Sequence, residues 1–169
     1  MGQSLILQTS LSAIAQSAIE KEGENDRFKD FLKSHNSEAI DQEVFALNEI
    51  ISPQINCTDC GNCCKSLMVN ITDEEADKLS SHLKQTREEF DNEYLEKGSG
   101  GLMIINSIPC RFLDDTKCSV YEYRFAGCKE FPALHLPNFN KRVFTTFMHY
   151  DRCPIIYNVV EELKRVMDF

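Results

Sequence analysis

Apolar residues recur at spacings of three and four through the first third of the chain, at Phe28, Phe31, Leu32, Ile40, Val44, Phe45, Leu47 and Ile51. That is the period of a helix burying one stripe. The pattern predicts helix over residues 3–52, with Ser34 to Ser37 as the place where it breaks in two, and it carries no visible chemistry. Beyond Pro53 the periodicity stops. Thr72-Asp73-Glu74-Glu75 reads as a capping box opening a helix to about His82, and Thr86-Arg87-Glu88-Glu89 as another opening a helix to about Lys97. Gly98-Ser99-Gly100-Gly101 ends that helix. Leu102 to Leu113 and Ser119 to Tyr123 then read as two short strands about an Asp114-Asp115 turn. Pro154 suits the first turn of a last helix carrying Ile155, Ile156, Val159, Val160, Leu163 and Val166.

These elements predict an α+β fold, mainly helical: a small cysteine-rich core with a short two-stranded hairpin, flanked by N- and C-terminal helices. The expected organisation is a helical N-terminal segment over 1–52 and a cysteine-cluster domain over 53–169 that includes the C-terminal helix. The glycine group at 98–101 is no phosphate cradle, because such loops follow a strand and precede a helix, and here the expected order is reversed.

Composition removes several function classes. The 169 residues carry a net charge of −9, a field that repels phosphates and disfavours nucleic acid as a partner. No apolar run approaches the roughly 20 residues of a membrane span, so no membrane partner is expected. Ala13-Ile14-Ala15 has the look of a signal-peptidase site, but no Lys or Arg precedes Leu5 and polar residues interrupt the apolar stretch. Met1-Gly2 is followed by Ile6 where a myristoylation signal needs Ser or Thr. A cytoplasmic location is the expectation.

Against that background the eight cysteines stand out: Cys57, Cys60, Cys63, Cys64, Cys110, Cys118, Cys128 and Cys153. Two residues between thiols let one turn bring both sulfurs to a single tetrahedral ion, with metal–sulfur bonds of roughly 2.3 Å. The C-x-x-C-x-x-C run does so twice over, and bacterial ferredoxins use the same run, with a remote Cys-Pro like Cys153-Pro154, to hold four-iron clusters. Lys65, Arg111, Lys117, Lys129 and Arg152 each adjoin a cysteine, which favours the thiolate form a metal needs. A disulfide framework is the competing reading. The missing export signal, a chain long enough to fold without bridges, and four thiols within eight residues oppose it. A redox-active pair such as Cys60 with Cys63 is a third.

The arrangement Cys57-Thr58-Asp59-Cys60-Gly61-Asn62-Cys63-Cys64, with Cys110-Arg111-Phe112-Leu113, Cys118-Ser119-Val120-Tyr121, Arg124-Phe125 and Cys128-Lys129-Glu130-Phe131-Pro132, resembles a bacterial YkgJ-like cysteine-cluster family. The resemblance covers about residues 53–155 and departs at Phe125, where the family usually has Pro. It implies chelation of zinc or iron and no particular reaction.

All eight thiols are therefore the candidate metal ligands, with zinc as the expected cofactor and a [4Fe-4S] cluster as the alternative. The metal ion is the expected partner, and a protein docking through the helices stays open. Two four-thiolate zinc sites, a thiolate-bridged pair, or one cluster plus one zinc would all use the count. One grouping sets Cys57, Cys60, Cys63 and Cys153 on one centre and Cys64, Cys110, Cys118 and Cys128 on another. Of four histidines only His149, four residues before Cys153, is placed to serve as a ligand. No nucleophile elbow, H-E-x-x-H or dinucleotide fingerprint is present, so no catalytic residue is assigned and a non-catalytic role is the expectation.

Overall fold

Side-chain oxygens decide where the N-terminal helices begin. In the computed structural model, which describes residues 5–169, Ser10 accepts the Ala13 N–H at 3.4 Å and opens α1 (Leu11–Glu20). Asn36 accepts the Ala39 N–H at 3.1 Å and opens α3 (Ser37–Ile51), as its polar side chain suits. Between them runs α2 (Glu22–Ser34). The break expected at Ser34 to Ser37 is present, and a second falls at Lys21. Helix does not extend back towards residue 3: Gln8 pairs through both backbone groups with the Asn158 amide, at 2.9 and 2.8 Å, and that pairing replaces helical bonding before Ser10. Residues 3 and 4 of the expected helix, and Met1 and Gly2 of the lipidation pattern, lie outside the described residues.

The chain divides into two compact units. The first joins residues up to Asn56 with Pro132–Phe169, bringing α7 (Phe139–Phe147) and α8 (Pro154–Val166) onto the N-terminal helices. Packing of α8 on α3 is its most extensive contact, with Ile40, Val44, Ile51, Val159, Val160 and Leu163 fully or almost fully buried. Pro154 takes the first turn of α8, as anticipated. The N-terminus of α7 is capped from a distance. Asn138 is left-handed (φ 60°) and supplies no side-chain cap, so the buried Asp41 carboxylate of α3 accepts the N–H groups of Asn138 and Phe139 at 2.6 and 2.8 Å.

The second unit is Cys57–Phe131. Both capping boxes form, Thr72 with Glu75 at the head of α4 (Asp73–Leu83) and Thr86 with Glu89 at the head of α5 (Arg87–Tyr94). The second helix stops short of Lys97, because Leu95–Lys97 leaves it as β2 to pair antiparallel with β3 (Met103–Ile105). With β1 (Asn70–Ile71) on the other side, a three-stranded antiparallel sheet forms in the order β1-β3-β2. The glycine group thus joins two strands. It is still no phosphate cradle, since no helix follows it.

Of the strand expected over Leu102–Leu113 the structure keeps only β3 and, at its end, β4 (Leu113–Asp114). Pro109, preceded by a cis peptide, lies between them and has no N–H to give a ladder. The predicted hairpin is β4 with β5 (Lys117–Cys118), turning through Asp115 at φ 55°. Ser119 to Tyr123 is not strand. The Ser119 N–H and hydroxyl both donate to the Phe112 carbonyl, at 2.8 and 3.0 Å, and a 3-10 turn follows at Tyr121–Tyr123. A short α6 (Ala126–Glu130) completes the unit. Its core is Val69, Ile71, Leu79, Phe90, Ile105 and Phe112 with their neighbours. No helix among the described residues is long and apolar enough to cross a membrane. The fold class is the expected one, mainly helical α+β.

Candidate metal centre

Six of the eight cysteines face one cavity in the second unit. Cys57, Cys63, Cys64, Cys110, Cys118 and Cys128 line it. Leu67, Val69, Ile105, Phe112, Val120 and Phe125 supply apolar wall between them. Cys60 is half-buried but is not on this wall, and Cys153 belongs to the helical unit, buried at the N-cap of α8. His149 also lies in the helical unit.

Local chain geometry explains how the six arrive. Cys57–Asp59 and Cys63–Lys65 are 3-10 turns, and between them Gly61 adopts φ 60° and is buried. A Cβ there would stand 2.9 Å from the Thr116 carbonyl oxygen, so only glycine lets the first cysteine run lie against the β4–β5 turn. The Cys110 N–H donates to the Cys64 carbonyl at 2.8 Å, tying the second block to the first. Cys110-Arg111-Phe112 and Cys118-Ser119-Val120 then repeat one device. The N–H two residues on, from Phe112 and Val120, stabilises the cysteine as thiolate, while the same residue's side chain anchors in the core.

The Sγ atoms of Cys63 and Cys64 are 4.0 Å apart. A hydrogen bond from the Cys64 thiol, the largest influence, brings Cys63 down to about 6, and the same bond pushes Cys64 far up. The pair gives up one proton readily and the second with difficulty. Both face the same cavity.

Burial raises the Cys110, Cys118 and Cys128 thiols, Cys128 to about 11. Desolvation and the neighbouring sulfurs raise Cys57. Arg124 opposes this. Its guanidinium lines the cavity and favours the thiolates of Cys57, Cys63, Cys118 and Cys128. It is held by cation–π stacking 3.6 Å from the Tyr121 ring centroid and by Nε donating to the Tyr121 carbonyl at 2.9 Å.

Two of the five cations that adjoin cysteines have backbone or carboxylate partners. Lys65 Nζ donates to the Cys60 carbonyl at 3.4 Å, and Arg152 pairs with Asp151 at 2.8 Å. Adjacency in sequence missed Arg124, which is four residues from Cys128 but reaches the thiols through the fold. The Arg-Pro step of the resembled family was the available signal. At Phe125 the backbone keeps φ −62°, an angle proline also adopts, and the ring is buried at 3% exposure.

The donor set fits zinc or iron. It offers thiols as its donors, largely apolar walls and a cation that offsets negative charge. Among the described residues no three His, Cys, Asp or Glu side chains are close enough to hold one ion. The seven cysteines of the second unit form no disulfide. No curated protein and no solved structure matches the chain at a significant level. One family model does match, CxxCxxCC, described as "Putative zinc- or iron-chelating domain", over residues 56–153, which is more than half of the chain and includes all eight cysteines. The chain belongs to this CxxCxxCC family of metal-chelating cysteine-cluster domains.

Proposed function

We propose that the second unit is a non-catalytic zinc-binding module whose donors are Cys57, Cys63, Cys64, Cys110, Cys118 and Cys128. The observation that supports this is the facing of six thiols onto one apolar cavity. Six sulfurs exceed the four of one tetrahedral ion, and a thiolate-bridged pair of ions would use them all. Bound metal would cross-link four segments of the unit: the 57–64 run, Cys110, the β5 end at Cys118, and α6. Its affinity would then be part of the folding free energy of the unit. A thiol-saturated ion has no open position for water or substrate, so this chain's residues bind and orient the metal and nothing more.

Arg124 and the Phe112 and Val120 N–H groups would hold the sulfurs as thiolates. Purification under reducing, anaerobic conditions with metal analysis and thiol titration tests this. The expected result is zinc close to two equivalents, with a large loss of thermal stability on chelation. Full stability after stripping would sink the reading.

The apolar wall favours a second reading, a [4Fe-4S] cluster, since exclusion of water from cluster sulfurs tunes and protects such centres. Brown protein with visible absorbance bleached by dithionite would establish it in place of zinc.

A further inference from the structure

Cys60 shares its turn with cavity cysteines yet stands off the cavity wall. Cys57 is exposed to solvent and is at the same time on that wall. The two lie three residues apart in one turn, with Cys60 Sγ 3.8 Å from the Cys57 carbonyl and the Gly61 N–H closing on that carbonyl at 3.4 Å. The turn is fixed from behind, because Gly61 is buried against Thr116 and Leu113. The backbone of the turn is held in this way, and Cys60 presents its sulfur outside the cavity.

We propose that Cys57 and Cys60 form an outer capture site for a soft divalent cation, from which Cys57 passes the ion inward to the cavity thiols. The inference rests on the cavity binding metal, and it adds a route and a division of labour among the cysteines. Capture replaces two solvent or carrier ligands by two thiolates and releases two protons. Transfer is ligand exchange with no change of oxidation state. A cavity thiol, at Cys63 or Cys64, gives its proton to water and forms a metal–sulfur bond. The Cys60–metal bond then breaks and the Cys60 sulfur takes a proton. Charge and donor count are conserved, and Cys57 stays bound throughout, which is why the one exposed wall thiol is the one adjacent to Cys60.

The test is zinc uptake by the reduced, metal-free full chain from a chromophoric chelator, followed by stopped flow for rate and by equilibrium titration for stoichiometry and affinity. Cys60→Ser is expected to keep stoichiometry and affinity while loading about tenfold more slowly, since removing one arm of a two-point attachment lowers the local concentration of the other. Cys60→His, which restores a donor, is expected to recover most of the rate. Cys128→Ser is expected to lower stoichiometry or affinity instead. A Cys60→Ser protein that loads as fast as the parent overturns the capture site and leaves the cavity reading standing. A Cys60→Ser protein that loses an equivalent of zinc also overturns it, making Cys60 a resident ligand. A parent chain that takes up no zinc removes both.

Discussion

The Sγ atoms of Cys63 and Cys64 lie 4.0 Å apart although the residues are consecutive. A tetrahedral ion with bonds of roughly 2.3 Å to sulfur has sulfur–sulfur edges of about 3.8 Å. The pair already spans such an edge, and its shared proton is the one an arriving ion would displace. Cys63→Ser and Cys64→Ser are therefore expected to lower bound metal equally, each by at least one equivalent. Metal analysis of the two purified variants checks this, and full metal content in Cys64→Ser would show that only one of the pair is a ligand.

Gly61 carries the geometry of the first cysteine run. At φ 60°, with a hypothetical Cβ 2.9 Å from the Thr116 oxygen and 3.0 Å from its Cα, alanine meets both backbone strain and a clash. The strain alone costs about 1–3 kcal/mol. Gly61→Ala is expected to destabilise the protein by at least that amount and to weaken metal binding as the 57–64 run separates from β4–β5. Parent-like metal affinity in this variant would show that the turn's position is irrelevant to the site.

Local signals were legible where their cause is local. The capping boxes at Thr72 and Thr86, the break at Ser34 to Ser37 and the start at Pro154 each depend on residues within one turn, and each is present. What escaped depends on partners distant in sequence. Leu95–Lys97 has good helical credentials until β3 competes for its backbone. Asp41, a carboxylate beside the buried stripe of α3, makes sense only once α7 presents two uncapped N–H groups. The cysteine pattern identified the ligand class and the family. Which sulfurs share a wall could not be read from it, because Cys60 and Cys63 each follow the preceding cysteine by three residues yet have opposite placements.

Arg124 offers a pH-dependent test of the thiolate environment. It favours the ionised forms of four cavity cysteines, so its removal leaves them protonated to higher pH, and protons compete with metal. Arg124→Gln is expected to weaken zinc binding roughly 10- to 100-fold, as loss of a residue supporting metal ligands does. It should also move the pH of half-loading upward. Arg124→Lys keeps the charge but not the planar stack on Tyr121, and should fall between. Unchanged half-loading pH in Arg124→Gln would remove the guanidinium from the account.

In the helical unit, Lys164 is 5% exposed and its ammonium donates to Glu24, Asn25 and Glu161 at 2.6, 2.6 and 2.7 Å. Burial works against ionising Glu161, but hydrogen bonds from Lys164, Lys21 and Tyr150 outweigh it and hold the carboxyl below its ordinary value. In acid the native state therefore binds fewer protons at this site than the unfolded chain. The stability this supplies is complete above the unfolded carboxyl value of about 4.3 and is lost as pH falls through the lower native value. Glu161→Gln is expected to be less stable than the parent at pH 6.5, with the gap narrowing steadily towards pH 3. Lys164→Ala, which removes one of the three groups that hold Glu161 ionised, is expected to cost about 1–3 kcal/mol at neutral pH. Urea unfolding followed by circular dichroism measures both, and a gap for Glu161→Gln that widened in acid would reverse the sign assigned to Glu161.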